Sequence, residues 1–485
     1  MNLYLLPQFV SSSIVGTFCF LIGIQLGYLS ILIPYFIKND NMPVQESFTL
    51  SDNEVSWLLS MAALVKPVSG LLAGLVMDHF GRLNTLRLGI IPWSIGWIII
   101  AEASNFPMLM AGYIISLLPH SWFVISLLAY ISEISSPSVR SVLLNFKSVF
   151  WGLGSMAPFL LGALLHWRTV AWINCLLPVI PGVATLFLKE SVLWLVTKGR
   201  VNDAKKSLAY FNRYRKLSKD EDLEGVIERK LLSVQTLHEE YRSSNRSLLH
   251  KMKFFFQPSG YIRIFMLAGL ECFNEVTGSS VVFANIIVFF TEFGTTINPY
   301  GIGIYIGVTK LATSFFNAWL LKTFKFRSIL MANYVTVSGC LLAWGLYLEY
   351  NTKGTTIYQW IPLCTMILYT FSLSAGVYSV PVVIAPLIFP THVRGTGQAI
   401  TTLIQSLLEF SAIQSYYAMK KIVKHSHILY FMALFSLLAC AYIYKYVVET
   451  HEKSFSEIEN YFSKKDNCNK RNSLPGEELE SFHEK

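Results

Sequence analysis

Charged residues are scarce in this chain. Only 14% of its residues are Asp, Glu, Lys or Arg, whereas 53% are hydrophobic. A typical soluble domain carries about 25% charged residues. This composition excludes the soluble globular class and predicts an integral membrane protein that is surrounded by a lipid bilayer.

The sequence also lacks the residue patterns of several functional classes. Its seven cysteines do not show the spacing of a disulfide framework or a metal site. We find no phosphate-binding glycine loop, no cluster of metal ligands and no ordered nucleophile triad. We therefore predict neither an enzyme nor an ATP-driven pump, and we expect no cofactor. The net charge of +9 is spread over loops, so we expect no nucleic-acid partner.

Long apolar runs, in contrast, are abundant. A helix that crosses a membrane needs about 20 mostly apolar residues. The sequence predicts twelve such runs, at residues 10–36, 55–77, 84–103, 108–131, 143–165, 169–188, 263–291, 300–321, 328–349, 357–386, 396–419 and 426–447. The chain is therefore expected to cross the membrane twelve times.

Basic residues mark one side of the predicted bundle. The polar segment 189–262 is rich in Lys and Arg. Basic residues close to the ends of membrane-spanning helices mark the cytoplasmic face. The short loops near Arg82, Arg140 and Arg394 agree with this assignment, whereas the basic residues at 420–424 do not. We expect both termini to be cytoplasmic.

Two pairs of loops repeat each other. The loop Asp78-His-Phe-Gly-Arg82 has a counterpart in Lys322-Thr-Phe-Lys-Phe-Arg327, and the segment from Glu133 to Arg140 has one in 387–394. Such a repeat indicates two six-helix halves with a solute site between them near the midplane. The predicted divisions are 1–188 (N-terminal half), 189–262 (cytoplasmic linker with short helices), 263–447 (C-terminal half) and 448–485 (cytoplasmic tail, partly disordered).

Five blocks at the ends of these runs carry a family likeness. They are Gly74-Leu-Val-Met-Asp78-His-Phe-Gly-Arg82, the segment from Tyr130 to Arg140, Lys189-Glu-Ser-Val-Leu-Trp-Leu195, Ile388-Phe-Pro-Thr-His-Val-Arg-Gly395 and the segment from Val448 to Ile458. In this order they resemble the sugar porter family of the major facilitator superfamily, most closely its insect-type facilitated trehalose transporters. The resemblance implies an all-α integral membrane fold of twelve transmembrane helices in two halves. It also implies a multi-pass protein of the plasma membrane that moves a sugar by facilitated diffusion through alternating access.

The resemblance further implies two sets of functional residues. The residues expected to contact the substrate are Ser148, Asn274, Glu275, Thr277, Ser280, Lys310 and Gln405. The residues expected to gate the cytoplasmic side are Asp78, Gly81, Arg82, Glu133, Arg140, Glu190, Arg394 and Glu449. Amide, hydroxyl and charged side chains of this kind suit the hydroxyl groups of a sugar.

The chain also departs from the family pattern. Tyr113 stands where the family usually has Arg, and Leu387 stands where it usually has Glu. Lys325 and Phe326 replace Gly and Arg in the second copy of the signature loop, and Val382 replaces a Trp that would stack on the sugar. We therefore expect fewer gate salt bridges in the C-terminal half.

Charged residues occur within several apolar runs. Glu271 and Glu275 are four residues apart and so share one helix face, and Lys310 is expected to face the same cleft. Because ionised groups are costly at mid-membrane, they usually face a wet cavity or pair with one another. Two interpretations remain open: the three residues line the solute path, or they form an internal ion pair that fixes helix packing. Lys66 is too deep to reach the cytoplasm and is expected to face outward water instead.

Three functions are consistent with these observations. The first is facilitated transport of trehalose or a related sugar. In the second, Glu275 and Lys310 favour a charged or proton-coupled small solute. In the third, the chain is a non-transporting sensor built on a decayed carrier, as the lost family residues suggest.

Overall fold

The fold was analysed in a computed structural model of the whole chain. It describes residues 5–36, 48–136, 139–212, 253–293, 299–350, 360–390 and 393–450, together with residues 225, 228, 231–232, 236, 457 and 462. Helices dominate these residues, and they form twelve passages that we number as spans 1 to 12. The twelve predicted crossings are thus confirmed, with boundaries that differ by a few residues.

Eight spans are continuous helices and four are interrupted. The continuous ones are Leu6–Leu32 (span 1), Asp52–Phe80 (span 2), Arg82–Ala101 (span 3), Arg140–Gly162 (span 5), Pro299–Thr323 (span 8), Phe326–Tyr350 (span 9), Arg394–Lys420 (span 11) and His425–Tyr446 (span 12). The interrupted ones are Phe106–Leu117 with Pro119–Ile134 (span 4), Trp167–Leu176 with Val179–Thr185 (span 6), Pro258–Val276 with Ser279–Ala284 and Ile286–Glu292 (span 7), and Trp360–Ser372 with the π-helix Leu373–Val377 and Ser379–Ile388 (span 10).

The spans differ in how many polar residues they carry. By length and composition alone, eight helices in the described part of the chain are apolar enough to cross a membrane, namely those of spans 1–4, 8–10 and 12. Spans 6 and 7 are divided into shorter helices, and spans 5 and 11 carry polar side chains at intervals along one face. A helix with such a face must pack that face against other helices or turn it toward a wet cavity, because polar groups exposed to lipid are costly.

The outward-facing surfaces of several other spans are apolar. Large exposed apolar side chains recur on the third helix of each group of three, as in Ile91, Ile95 and Ile98 of span 3, Ile180 and Val183 of span 6, Val335, Leu342 and Leu346 of span 9, and Phe431, Leu434 and Leu438 of span 12. In a soluble protein such faces would be unfavourable, whereas lipid tails cover them without cost. Spans 3, 6, 9 and 12 therefore form the apolar belt of the molecule.

The two halves repeat the same connection at one end of the bundle. After span 6, Glu190 accepts hydrogen bonds from the backbone N–H groups of Arg82 (3.3 Å) and Leu83 (3.0 Å) at the start of span 3. After span 12, Glu449 accepts from the N–H groups of Phe326 (3.2 Å) and Arg327 (3.1 Å) at the start of span 9. A carboxylate at this position satisfies backbone donors that have no partner within their own helix. The loop repeat read from the sequence thus has a structural counterpart.

We call this end of the bundle the linker end, because the chain continues there from span 6 into the linker. Two short helices, Val192–Thr197 and Val201–Asn212, follow span 6. The sequence predicts short helices within the linker, and most of its residues 213–252 lie outside the described part of the chain.

The opposite end, where span 2 begins and span 11 ends, is called the far end. Spans 2 and 11 meet there and join the halves through polar side chains; Gln414, for example, accepts from Ser56 Oγ (2.7 Å). Spans 5 and 8 form a second contact between the halves. Gly303 and Gly307 lie directly against Phe159 and Met156, and small residues allow such close approach of membrane helices.

Candidate functional site

Span 7 is broken in the middle of its polar segment. Gly278 adopts a left-handed conformation (φ 83°, ψ 16°), which glycine reaches without a steric penalty. The helix ends just before it and resumes at Ser279. The hydroxyl of Thr277 donates to the carbonyl of Asn274 (2.6 Å), and Tyr369 of span 10 donates to the carbonyl of Thr277 (3.2 Å). These bonds satisfy backbone groups that the break would otherwise leave unpaired.

The break brings Ser280 back to Glu275. Ser280 Oγ donates to Glu275 Oε2 over 2.7 Å, and only 3% of the Glu275 residue surface is exposed. Asn274 is equally buried, and its Oδ1 atom has no hydrogen-bond partner among the residues that the structure describes. Thr277 is fully buried and its hydroxyl is already used within span 7. Of the predicted residues on this span, Asn274 therefore retains an available acceptor, whereas Thr277 serves the backbone.

A cavity of about 70 Å³ lies between spans 7, 10 and 11, and we call it the span 11 cavity. It is lined by Leu267, Glu271, Pro381, Val382, Ala385, Gln398, Thr401, Thr402 and Gln405. Its polar groups are a carboxylate, two amides and two hydroxyls, which together can donate to and accept from a polyhydroxylated solute.

A second, smaller cavity of about 20 Å³ lies between spans 1, 5, 7 and 8, and we call it the span 8 cavity. It is lined by Leu26, Gly27, Ser30, Ser155, Phe159, Phe283, Ile286, Ile306 and Lys310. Lys310 Nζ lies 3.9 Å from the centre of the Phe283 ring and 5.5 Å from that of Trp151. Aromatic faces attract an ammonium group in this geometry.

The suggested ion pair of Lys310 with Glu271 or Glu275 is wrong. Lys310 instead lies against Phe283 and Trp151, and it lines a different cavity from Glu271. The physical reason is the break in span 7, which places Phe283 rather than the glutamates beside span 8. Ser148, also predicted, is half buried on span 5, one helical turn before Trp151.

The expectation for Lys66 is also wrong. Its Nζ atom lies 2.9 Å from both carboxylate oxygens of Glu409, so the residue pairs with span 11 and does not face open water. The two side chains are 28% and 17% exposed. Because span 2 belongs to one half and span 11 to the other, this pair joins the halves.

The residues predicted to form a gate come together mainly in the N-terminal half. Arg82 Nη2 contacts Glu133 Oε1 at 2.8 Å, and the hydroxyl of Ser191 donates to the other oxygen of Glu133. Trp194 Nε1 donates to the carbonyl of Asp78 (3.2 Å). Burial raises the pKa of Glu190, which lies next to this group, while hydrogen bonds from backbone N–H groups and the charge of Arg82 oppose the rise.

Other predicted gate residues have different surroundings. Gly81 has φ 95° and ψ 173°, and a Cβ atom on it would lie 2.8 Å from Glu190 Oε2. Arg140 is exposed and donates to the carbonyl of Ser135 (3.3 Å). The side chain of Arg394 lies outside the described residues. The gating role itself stays a prediction.

Several site residues escaped the sequence analysis. Gln398 lines the span 11 cavity two turns before Gln405, and Thr402 lines it one turn before Gln405. Their spacing of three to four residues places them on one helix face with Gln405 and Glu409, and that periodicity was the available signal. Trp151 was missed because a lone aromatic residue in an apolar run carries no such pattern.

Comparisons with known proteins agree with this architecture. A family model described as "Sugar (and other) transporter" matches residues 14–462. The facilitated trehalose transporter Tret1 of Polypedilum vanderplanki is 25% identical over 459 residues, which is 94% of this chain and 88% of that protein. The Tret1 protein of Bombyx mori is 25% identical over 460 residues, with 94% of this chain and 87% of that protein covered.

Solved structures share the fold. The inward open xylose transporter XylE from E. coli superimposes with a TM-score of 0.73 at 16% identity, covering 93% of this chain and 98% of that chain. The same protein bound to 6-bromo-6-deoxy-D-glucose gives a TM-score of 0.69 at 17% identity, covering 95% of this chain and 100% of that chain.

Proposed function

This chain belongs to the sugar (and other) transporter family, and we propose that it carries trehalose or a related sugar across a membrane by facilitated diffusion. The family match over residues 14–462 is the observation that carries this proposal. The trehalose transporters similar to this chain support the choice of sugar. The absence of a catalytic residue pattern in the sequence agrees with a carrier rather than an enzyme.

The fold supports transport by alternating access. Two halves of six spans enclose polar residues at mid-depth, and spans 2 and 11 close the far end above them. In such carriers the halves rock about a central site and expose it to one side at a time. The linker end carries most of the basic loops, so we assign it to the cytoplasm and the far end to the outside.

We assign sugar binding to the span 11 cavity and the adjoining break in span 7. Gln398, Thr402 and Gln405 supply amide and hydroxyl groups, and Glu271 supplies a carboxylate acceptor. Sugar hydroxyl groups both donate and accept hydrogen bonds, so a mixed lining of this kind suits them.

Uptake into oocytes that express the full chain tests the proposal. We expect saturable uptake of labelled trehalose or glucose, inhibited by an excess of the unlabelled sugar. Surface labelling must first show that the protein reaches the plasma membrane. Absence of saturable flux for both sugars at confirmed surface levels would exclude the sugar carrier, and sugar binding without flux would favour the sensor.

A charged or proton-coupled solute is the second candidate. The described residues place three carboxylates at mid-depth, on Glu271, Glu275 and Glu409, and Lys66 pairs with the last of them. The remaining carboxylates suit a solute with a cationic group or a transported proton. Transport measured against pH in the wild type and in Glu275→Gln separates the candidates. Equal transport of neutral sugar by both proteins at every pH rejects coupling through Glu275.

A further inference from the structure

One ion pair connects the two halves of the molecule near the membrane midplane. Lys66 lies near the middle of span 2 and Glu409 near the middle of span 11. The ammonium group is 2.9 Å from both carboxylate oxygens, which is the geometry of a strong charge-assisted contact. Both side chains are mostly buried, at 28% and 17% exposure, so solvent screens the pair only weakly.

Three further contacts continue from this pair toward the far end. The rings of Trp57 and Phe410 lie 5.8 Å apart, and Gln414 bridges two serines of span 2. Its Nε2 atom donates to Ser60 Oγ over 3.0 Å. Nearest the far end, Lys421 Nζ donates to Asn53 Oδ1 over 2.7 Å. The ion pair is thus the deepest member of a polar seam between spans 2 and 11.

Opening the far end requires this seam to separate, because its members belong to opposite halves. The neutral amide and hydroxyl groups can then exchange their partners for water at low cost. Lys66 and Glu409 are different, since each would become a lone charge at mid-membrane depth, where an unpaired charge is strongly disfavoured. Their attraction therefore favours the closed far end more than any other contact in the seam.

We propose that Lys66 and Glu409 form a latch that holds the far end of the carrier closed. The proposal rests on the proposed carrier function, in which the far end opens and closes during each cycle. Glu275 lies close enough to interact electrostatically with both Lys66 and Glu409. In this role Lys66 and Glu409 are positioning residues, because they set the balance between two arrangements of the halves and are not assigned to sugar contact.

The rate at which a buried cysteine reacts tests the latch without any solute. Ser60 is fully buried in the seam, so Ser60→Cys should react slowly with a maleimide in the purified full-length protein in detergent. We expect Lys66→Met and Glu409→Gln each to increase this rate about tenfold, which corresponds to about 1.4 kcal/mol. The charge swap of Lys66→Glu with Glu409→Lys should return the rate toward that of the parent, which loss of packing alone would not do.

Lys147→Met is the matched control, since it removes another lysine from a membrane-spanning helix outside the seam. It should leave the Ser60→Cys rate unchanged, and mass spectrometry separates that thiol from the native cysteines. Unchanged rates in both single variants overturn the latch, as does a charge swap that reacts as fast as the single variants.

If the single variants do not fold, the pair Lys66→Gln with Glu409→Gln leaves no lone charge, and because neutral amides exchange their partners for water at low cost, it should still react faster than the parent. An equal rate in that variant overturns the latch. Because the measurement needs no sugar, a latch response without any sugar flux would reject only the proposed function.

Discussion

At the residue scale, three ionisable side chains at mid-depth are each stabilised differently. Lys66 pairs with a carboxylate, Lys310 lies against the face of Phe283, and Glu275 accepts a hydrogen bond from Ser280. A lone charge in a bilayer has a high free-energy cost, and each of these three contacts lowers that cost in a different way. The first two are positive charges from opposite halves of the molecule, with Lys66 on span 2 and Lys310 on span 8.

Gly81 allows a direct test of backbone conformation. Its dihedral angles lie in a region that is almost restricted to glycine, and a Cβ atom there would approach Glu190 Oε2 to 2.8 Å. We expect Gly81→Ala to reduce the free energy of unfolding by about 2 kcal/mol. Thermal unfolding in detergent measures the change.

Two other glycines serve as controls. Gly199 also has a positive φ, of 72°, but no atom lies within 4 Å of its Cβ position, so Gly199→Ala should cost only the conformational strain of about 1 kcal/mol. Gly74 is helical with the same open space, so Gly74→Ala should be neutral or slightly stabilising. Equal stability of Gly81→Ala and Gly74→Ala would contradict the assignment.

Gln405 tests the proposed sugar site. Gln405→Ala removes one amide from the span 11 cavity, and the loss of one hydrogen bond to a sugar should raise KM about tenfold. Thr336→Ala on span 9 is the control, since its hydroxyl bonds only to its own helix at the carbonyl of Ala332. Uptake measured as a function of sugar concentration gives the KM of each variant. An unchanged KM for Gln405→Ala would remove this residue from the site.

At the element scale, two helix starts depend on glutamates that follow distant spans. Glu190 binds the N–H groups at the start of span 3, and Glu449 binds those at the start of span 9. In the first half Arg82 adds an ion pair with Glu133, whereas Phe326 occupies the matching place in the second half and is buried in the core. Apolar packing can replace a buried ion pair without loss of stability. The second loop thus retains the helix contact although Arg82 has no arginine counterpart at its position.

Removal of these glutamates should therefore destabilise both halves. Glu190→Ala and Glu449→Ala each leave two N–H groups at a helix start unpaired, and we expect a loss of about 1–3 kcal/mol in the free energy of unfolding. Glu102→Ala is a control at the exposed end of span 3 and should have little effect. A melting temperature of Glu449→Ala equal to that of Glu102→Ala would show that the contact of the second half is unimportant.

The sequence predicted the positions of the spans better than their shapes. Length and hydrophobicity locate a crossing because the bilayer imposes both. The break of span 7 at Gly278 was not predicted, since an isolated glycine in a helical run is usually tolerated. The same break decided the partners of Glu275 and Lys310, and for that reason the ion-pair interpretation, one of the two left open, is wrong. Contacts between halves, such as Lys66 with Glu409, depend on packing that no local pattern encodes.

At the scale of the whole molecule, the far end is held by side chains from both halves. The outermost contact joins Lys421 to Asn53, at the end of span 11 and the start of span 2. If the carrier cycle separates these spans, a covalent link between them should stop transport. The contact is exposed, so both positions accept a cysteine without a change in the core.

A reversible cross-link makes this measurable. In Asn53→Cys with Lys421→Cys, a short bifunctional thiosulfonate should abolish sugar uptake, and a reductant should restore it. Each single cysteine variant treated with the same reagent should keep its uptake. A cross-linked double variant that transports at the rate of the single variants would mean that the far end does not open in the cycle.

The apolar belt has a consequence for the choice of membrane. Span 3 has 20 residues and its counterpart span 9 has 25, so at about 1.5 Å per residue these helices measure about 30 Å and about 38 Å. Span 3 therefore matches a hydrocarbon core of about 30 Å, whereas span 9 is longer than that core. Such a mismatch is relieved by tilting the longer helices. Thin and thick membranes should consequently set different resting tilts between the halves, and lipid composition becomes a factor in how readily the carrier turns over.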